Sequence, residues 1–189
     1  MVKINTFILC IIAPFLFSFG TITNSKIIYD YSFCDKGNMP YVYGSTLKFD
    51  DFNFQNNRPD RVLGRSYTGI MYSVVNNKNN ISVGVCAYFD KRSSFLVRGN
   101  KIESVLNHEQ KHFDISYLFS LKFIYKLKSY GNLTESLVDS IYNEIDKELD
   151  VYQKNYDIDT DHSMDRNKQK EWDNLISNEI RILKNNLNL

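Results

Sequence analysis

The stretch VLNHEQKHFDI, residues 105–115, decides how the chain is read. Val105, Leu106 and Phe113 fall at helical spacing, and Ile102, Phe119, Phe123, Ile124 and Leu127 continue the same stripe on either side. Within this helix His108, Glu109 and His112 stand in the order H-E-x-x-H, although the chain has only three histidines. Positions i and i+4 lie one above the other, so the two imidazoles aim at one point. Together they supply two of the three protein ligands of a catalytic zinc and leave a position for water. Glu109, about 100° further round the helix, is placed to act on that water as general base and then as acid toward a leaving amine. An unpaired carboxylate in apolar surroundings costs several kcal/mol, which a divalent cation nearby would offset. The plainer reading makes the histidines ordinary core or surface residues with Glu109 as their hydrogen-bond partner.

Before this helix, Asn100 and Glu103 form an N-x-x-E start signal. Gln110, Lys111, Asp114 and Lys122 fall on the opposite side, so Lys111 and Asp114 are expected to face solvent. Further upstream the period is two. GIMYSVV (69–75), ISVGVCAYF (81–89) and SFLVRG (94–99) read as strands, with NNKNN as a polar hairpin connector between the first two. LKFDDFNFQNNRPD reads as a short strand running into a turn at Pro59. Downstream, Gly131 closes the helix, and a second amphipathic helix runs from about Thr134 to Asn155 with Leu137, Val138, Ile141, Ile145, Leu149 and Tyr152 as its stripe. The polar YDIDTDHSMD interrupts the pattern before a third helix carrying Trp172, Leu175, Ile176, Ile180 and Leu183. The fold class expected is α+β, an antiparallel β-rich first half packed on the H-E-x-x-H helix and two further helices.

The chain of 189 residues, 43% hydrophobic, is long enough to bury one good core. Its 23 Lys and Arg balance 22 Asp and Glu without a basic stripe, which excludes the electrostatic footprint of a nucleic-acid binder. MVKINTFILCIIAPFLFSFG (1–20) has the early lysine, apolar run and small-residue ending of a secretory signal, and the run is short for a membrane span. Residues 21–189 are then one exported domain, secreted or periplasmic, without a membrane span in the mature chain, an uncleaved N-terminal anchor being the plainer alternative. Loss of the signal removes Cys10 and leaves Cys34 and Cys86, compatible with a single disulfide.

A third ligand must come from outside the helix. His162 lies between two helical segments where a loop side chain can turn back, and imidazole is a natural zinc ligand, so His162 joins His108 and His112 as the expected set. Glu144, Glu148, Asp157, Asp159 and Asp161 compete as carboxylate ligands. Asp157, Asp159 and Asp161 are also placed to orient the ring nitrogens from outside, and Tyr156 or Arg166 to donate to an oxyanion. Each of the last two has a plainer role, Tyr156 in packing and Arg166 in a surface ion pair.

VLNHEQKHFDI, followed some fifty residues later by YDIDTDHSMDRNKQKEW, resembles the bacterial domain of unknown function described as a predicted secreted zinc-dependent protease, with zincin-type members. The resemblance runs from about Leu47, where LKFDDF is similar to that family's early strand motif, to Trp172. H-E-x-x-H is shared by many unrelated metallopeptidases, whereas the stretch around His162 is more particular. Members often carry glycine after the later histidine, where this chain has Ser163, which leaves the backbone beyond His162 open. The resemblance implies a zincin-like metallopeptidase site and names no substrate.

The function expected is therefore a secreted zinc metallopeptidase, with Zn2+ on the three histidines and Glu109 as general base. A peptide or protein substrate would be bound by pairing with a strand such as ISVGVCAYF. A cell-wall peptide amidase with the same site and a non-catalytic zinc-stabilised binding module are the alternatives.

Overall fold

β-Branched and aromatic residues build a first half of strands, two of them long, and three long helices follow. The computed structural model describes residues 24–34, 38–56, 62–77, 80–99 and 102–189. The expected signal segment, Pro59 and Asn100 lie outside them. The strands are β1 (Asn24–Tyr29), β2 (Asn38–Pro40), β3 (Asn53–Gln55), β4 (Gly64–Arg65), β5 (Thr68–Asn77), β6 (Asn80–Asp90) and β7 (Phe95–Val97). A single 3-10 turn, Phe49–Asp51, precedes β3, so LKFDDF is a turn leading into a strand.

β5 and β6 form the expected hairpin, in register from Thr68↔Phe89 to Asn77↔Asn80. β6 is paired along both edges: β5 lies on one, while β1 and β2 share the other, β1 running parallel. ISVGVCAYF is therefore interior, and it cannot accept a substrate strand as expected. In the smaller sheet, β7 sits between β3, parallel, and β4, antiparallel. The sheets are thus mixed rather than antiparallel, because the chain returns through β3 and β1 by connections longer than a hairpin. A disulfide joins Cys34 to Cys86 in the middle of β6, across 52 residues. This tethers the chain after β1 to the centre of the larger sheet.

Helix α1 (Glu103–Lys128) is the central rod of the core. Sheet strands cover one side and the later helices the other, so Phe113, Ile115, Leu118, Leu121 and Phe123 are buried around its whole circumference. The face expected to meet solvent is roofed by the segment after β2. Tyr41 stacks on Tyr117 and donates from its hydroxyl to Asp114 Oδ1 at 3.0 Å. Gln110 Nε2 and Lys111 Nζ also donate to Asp114, at 2.8 and 2.6 Å, and Gln110 Oε1 accepts from Leu47 N. Asp114 is buried and Lys111 half-buried, satisfied by each other and by this roof rather than by water. α1 begins at Glu103 with Ile102 as its N-cap and no side-chain cap, so the expected Asn100 start signal is set too early.

Helix α2 (Glu135–Thr160) is capped by Thr134, whose side chain accepts from Leu137 N. It runs five residues beyond the expected end, because Tyr156 and Thr160 keep the buried stripe going through the polar YDIDT. Three consecutive non-glycine residues with positive φ then turn the chain: Asp161 (46°), His162 (49°) and Ser163 (80°). Such a run is sterically costly for L-residues. Ser163 thus occupies the left-handed region that glycine tolerates best. Helix α3 (Arg166–Leu187) follows, capped by Asp165 accepting from Asn167 N and Lys168 N. Ile176 and Ile180 are buried and Trp172 and Leu183 pack against the core, while Leu175, expected in the stripe, is exposed.

Candidate metal centre

The first turns of α1 carry His108, Glu109 and His112 into the space between β4, β5 and α2. All three are nearly inaccessible, at 3%, 2% and 9% relative exposure. The extension of α2 brings Asp157 to the same place. His108 Nε2, His112 Nε2 and Asp157 Oδ1 form a nearly equilateral triangle, 3.3 Å between the nitrogens and 3.1 and 3.0 Å from each nitrogen to the oxygen. Ligands 2.0–2.1 Å from a tetrahedral zinc stand about 3.3–3.4 Å apart, so the triangle has the size of one tetrahedral face. Among the described residues this is the group whose spacing suits a metal ion.

The outer nitrogens explain why the inner ones are free to coordinate. His108 Nδ1 faces Gln169 Oε1 at 3.2 Å, and His112 Nδ1 is in short contact with Gln153 Oε1. Both amides are held from behind, Gln169 with its orientation fixed by a carboxylate. Gln169 Nε2 donates to Asp173 Oδ1, an obligate acceptor, and to the Tyr156 hydroxyl. Gln153 Nε2 donates to the hydroxyls of Thr68 and Ser116. Each amide oxygen is thereby offered to an imidazole Nδ1–H, the tautomer that would present an Nε2 lone pair to a cation. In that tautomer three lone-pair atoms would converge without a hydrogen between them. A cation relieves that repulsion.

The protonation tendencies show the same demand for positive charge. Burial disfavours the charged His112 ring, but the Asp157 hydrogen bond and the Glu109 charge outweigh it and raise its pKa. Burial also opposes ionisation of Asp157, yet hydrogen bonds from His108 and His112 hold its carboxyl well below the usual range. Glu109 contributes a buried carboxylate whose Oε2 has no hydrogen-bond partner. Gly64 of β4 lies against this group: a Cβ there would stand 2.8 Å from Glu109 Oε1 and 2.7 Å from Leu96 Cδ2. A side chain at position 64 would therefore displace the carboxylate.

The other expected site residues are distributed differently. His162 sits at the rim with 59% of its side chain exposed, its Nδ1 3.5 Å from Asp157 Oδ1, outside the three-atom group. Tyr156 is fully buried behind His108, stacked on it at 4.6 Å, with its hydroxyl directed to His108 O and Gln169 rather than into the cleft. Arg166 is exposed and, with Asp159 and Asp161, lines a separate surface groove. Asp159 accepts from Trp172 Nε1. Glu144 pairs with Lys126 on the surface. Gln153, Gln169 and Gly64 are contributors that sequence reasoning missed. The spacing of Gln153 and Asp157, i and i+4 on one helix face, was the signal available for one of them.

His108, Glu109, His112, Asp157 and His162 open into a cleft of about 390 Å³, walled by the chain from Val62 to Ile70 on one side and α2 on the other. This volume is in the range of small-molecule or peptide side-chain sites. Compared with family models, curated proteins and solved structures, the chain matches none. Function therefore rests on the site itself.

Proposed function

We propose that the protein is a zinc-dependent metallopeptidase of zincin-like type, exported from the cell and acting on peptide or protein substrates. The observation that carries this reading is the triangle of His108 Nε2, His112 Nε2 and Asp157 Oδ1 beside the unpartnered carboxylate oxygen of Glu109. Two imidazoles and one carboxylate are a donor set suited to zinc in hydrolases. Asp157 replaces His162 as the third donor in this reading, which leaves His162 facing the cleft. When bound, the cation supplies a Lewis acid that acidifies water and polarises a carbonyl.

The chain's own residues supply the rest. Gln169 and Gln153 hold the two imidazoles in the Nδ1–H form and fix their planes. The Glu109 carboxylate, which lines the cleft and has an unpaired oxygen, accepts a proton from the attacking water and returns it to the leaving amine. β4 walls Glu109 on one side with Gly64, where a Cβ would stand 2.8 Å from Oε1 and push the carboxylate out of place. The exposed imidazole of His162, held over the cleft by the left-handed turn, can donate to the developing oxyanion. The Cys34–Cys86 disulfide suits an oxidising compartment. Among the described residues no helix is long and apolar enough to cross a membrane.

The test is elemental analysis and peptide hydrolysis of the wild type beside Glu109→Gln, Asp157→Ala and His162→Ala. One zinc per chain is expected in the wild type, in Glu109→Gln and in His162→Ala, and none in Asp157→Ala. Hydrolysis should vanish in Glu109→Gln. A Glu109→Gln variant that cleaves peptides like the wild type would refute the catalytic role and leave a metal-stabilised binding module. Digestion of purified cell wall but of no free peptide would instead select the amidase.

A further inference from the structure

The cleft extends past the metal centre along α2 toward the middle of that helix, and its far end has a different chemistry. Ile70 and Leu149 are buried there, and Tyr88 and Tyr142 stand half-buried beside them. Tyr142 spans from α2 to β5, its hydroxyl donating to Ile70 O at 3.2 Å. The Tyr88 ring lies over Gly69, where a Cβ would meet the phenol oxygen at 2.9 Å. Into this aromatic end project Asp146 and, one turn on, Asp150.

Asp146 is half-buried and has no hydrogen bond or ion pair among the described residues. Burial raises its pKa, and the charge of Asp150 adds to the effect. Arg65 and Lys154, the cations along the cleft, are exposed and neither pairs with it. Half-burying a carboxylate next to another carboxylate disfavours the folded chain. A cation from outside would reverse that cost. The same cleft is lined by Glu109, whose buried Oε2 also lacks a partner, and two such carboxylates mark it as built around a ligand.

We infer that the end of the cleft formed by Ile70, Tyr88, Tyr142 and Asp146 is a subsite for a lysine or arginine side chain of a peptide. An aliphatic stem would lie on Ile70 and Leu149, the two phenol rings would flank the cation, and Asp146 with Asp150 would neutralise it. Asp146 precedes Asp157 by eleven residues of α2, which is roughly 16 Å along the helix axis. A lysine side chain reaches about 6 Å, and an extended peptide advances about 3.3 Å per residue. The basic residue therefore falls about three positions from the bond that Glu109 addresses. Only this placement rests on the peptidase reading, since the binding chemistry does not.

The experiment separates the two. Full-length, zinc-loaded Glu109→Gln protein is titrated with fluorescently labelled alanine-based hexapeptides carrying a single lysine, norleucine or glutamate at each position in turn, and binding is read by anisotropy. At one position lysine should bind at least tenfold tighter than norleucine, which differs only by the ammonium group. Adding Asp146→Asn should cut that ratio below threefold, and Asp146→Lys should favour glutamate. Equal binding of lysine and norleucine at all positions, no binding at all, or a lysine preference that survives Asp146→Asn with Asp150→Asn would overturn the inference. Lysine-selective binding by a protein whose wild type cleaves none of these peptides would sink the peptidase reading and leave the subsite. Cleavage without a basic preference would do the reverse.

Discussion

Replacing Gly64 with alanine tests the catalytic geometry without touching a metal ligand. The added Cβ would sit 2.8 Å from Glu109 Oε1 and 2.7 Å from Leu96 Cδ2, whereas ordinary contact begins at 3.4 Å. Glu109 must then retreat by about 0.6 Å, or β4 must lift from α1 by as much. A 1 Å misplacement near a reacting centre costs about 10²-fold in rate, so roughly a tenfold loss of kcat is expected, with KM little changed. Overpacking should also lower stability by about 1–3 kcal/mol. Zinc content should stay at one per chain, because the atoms nearest the new methyl group belong to Leu96 and Glu109 rather than to His108, His112 or Asp157. Gly131→Ala is the control, since a Cβ there meets nothing within 4 Å. Steady-state kinetics on a cleaved peptide, metal analysis and thermal melting are the assays. Unchanged kcat in Gly64→Ala would refute the claim that β4 walls the general base, and joint loss of zinc and activity would assign Gly64 to the fold instead.

Gln169→Leu removes the acceptor that turns His108 Nδ1–H outward, so zinc affinity should fall about 10–100-fold in a chelator competition, and Gln153→Leu should do the same through His112. Opening the Cys34–Cys86 bridge frees a loop across 52 residues. Chain-entropy arithmetic puts the loss near 4 kcal/mol, measurable as a lower denaturant midpoint for Cys34→Ser with Cys86→Ser. Asp146 has a folded-state pKa raised by burial, so the stability it contributes is fully present below the unfolded value and is lost as pH rises through the folded one. Asp146→Asn should therefore melt higher than the wild type at pH 7 and alike near pH 3, and equal melting at both pH values would show that the carboxylate is solvated.

Much of this architecture can be read in the chain, and what cannot has a physical reason. Helical periodicity around VLNHEQKHFDI places His108, Glu109 and His112 on α1, because i and i+4 geometry is local. The β5–β6 hairpin is equally local. Residues 156–160 mislead, since the polar composition of YDIDT signals a break while Tyr156 and Thr160 are anchored in the core from one side only. That misplaced helix end puts Asp157 in a loop beside His162, and the preference of zinc for imidazole then makes His162 the expected third ligand. Lys111 and Asp114 look solvated because nothing in their own helix announces the Tyr41–Leu47 roof, which arrives from about 70 residues away. Gln169 and Gln153 are invisible for the same reason, as amides become orienting groups only through contacts spanning 61 and 41 residues. The parallel pairings of β1 and β3 are likewise set by tertiary crossings that no alternation pattern encodes.

The burial of α1 on all sides ties the proposed catalysis to the melting of the whole molecule. A helix wedged between sheets and helices has no partial excursion that spares its neighbours, so the two imidazoles cannot drift apart while the rest stays intact. Heating should extinguish turnover and tertiary structure on a single curve, with no warm interval in which a folded but idle protein accumulates.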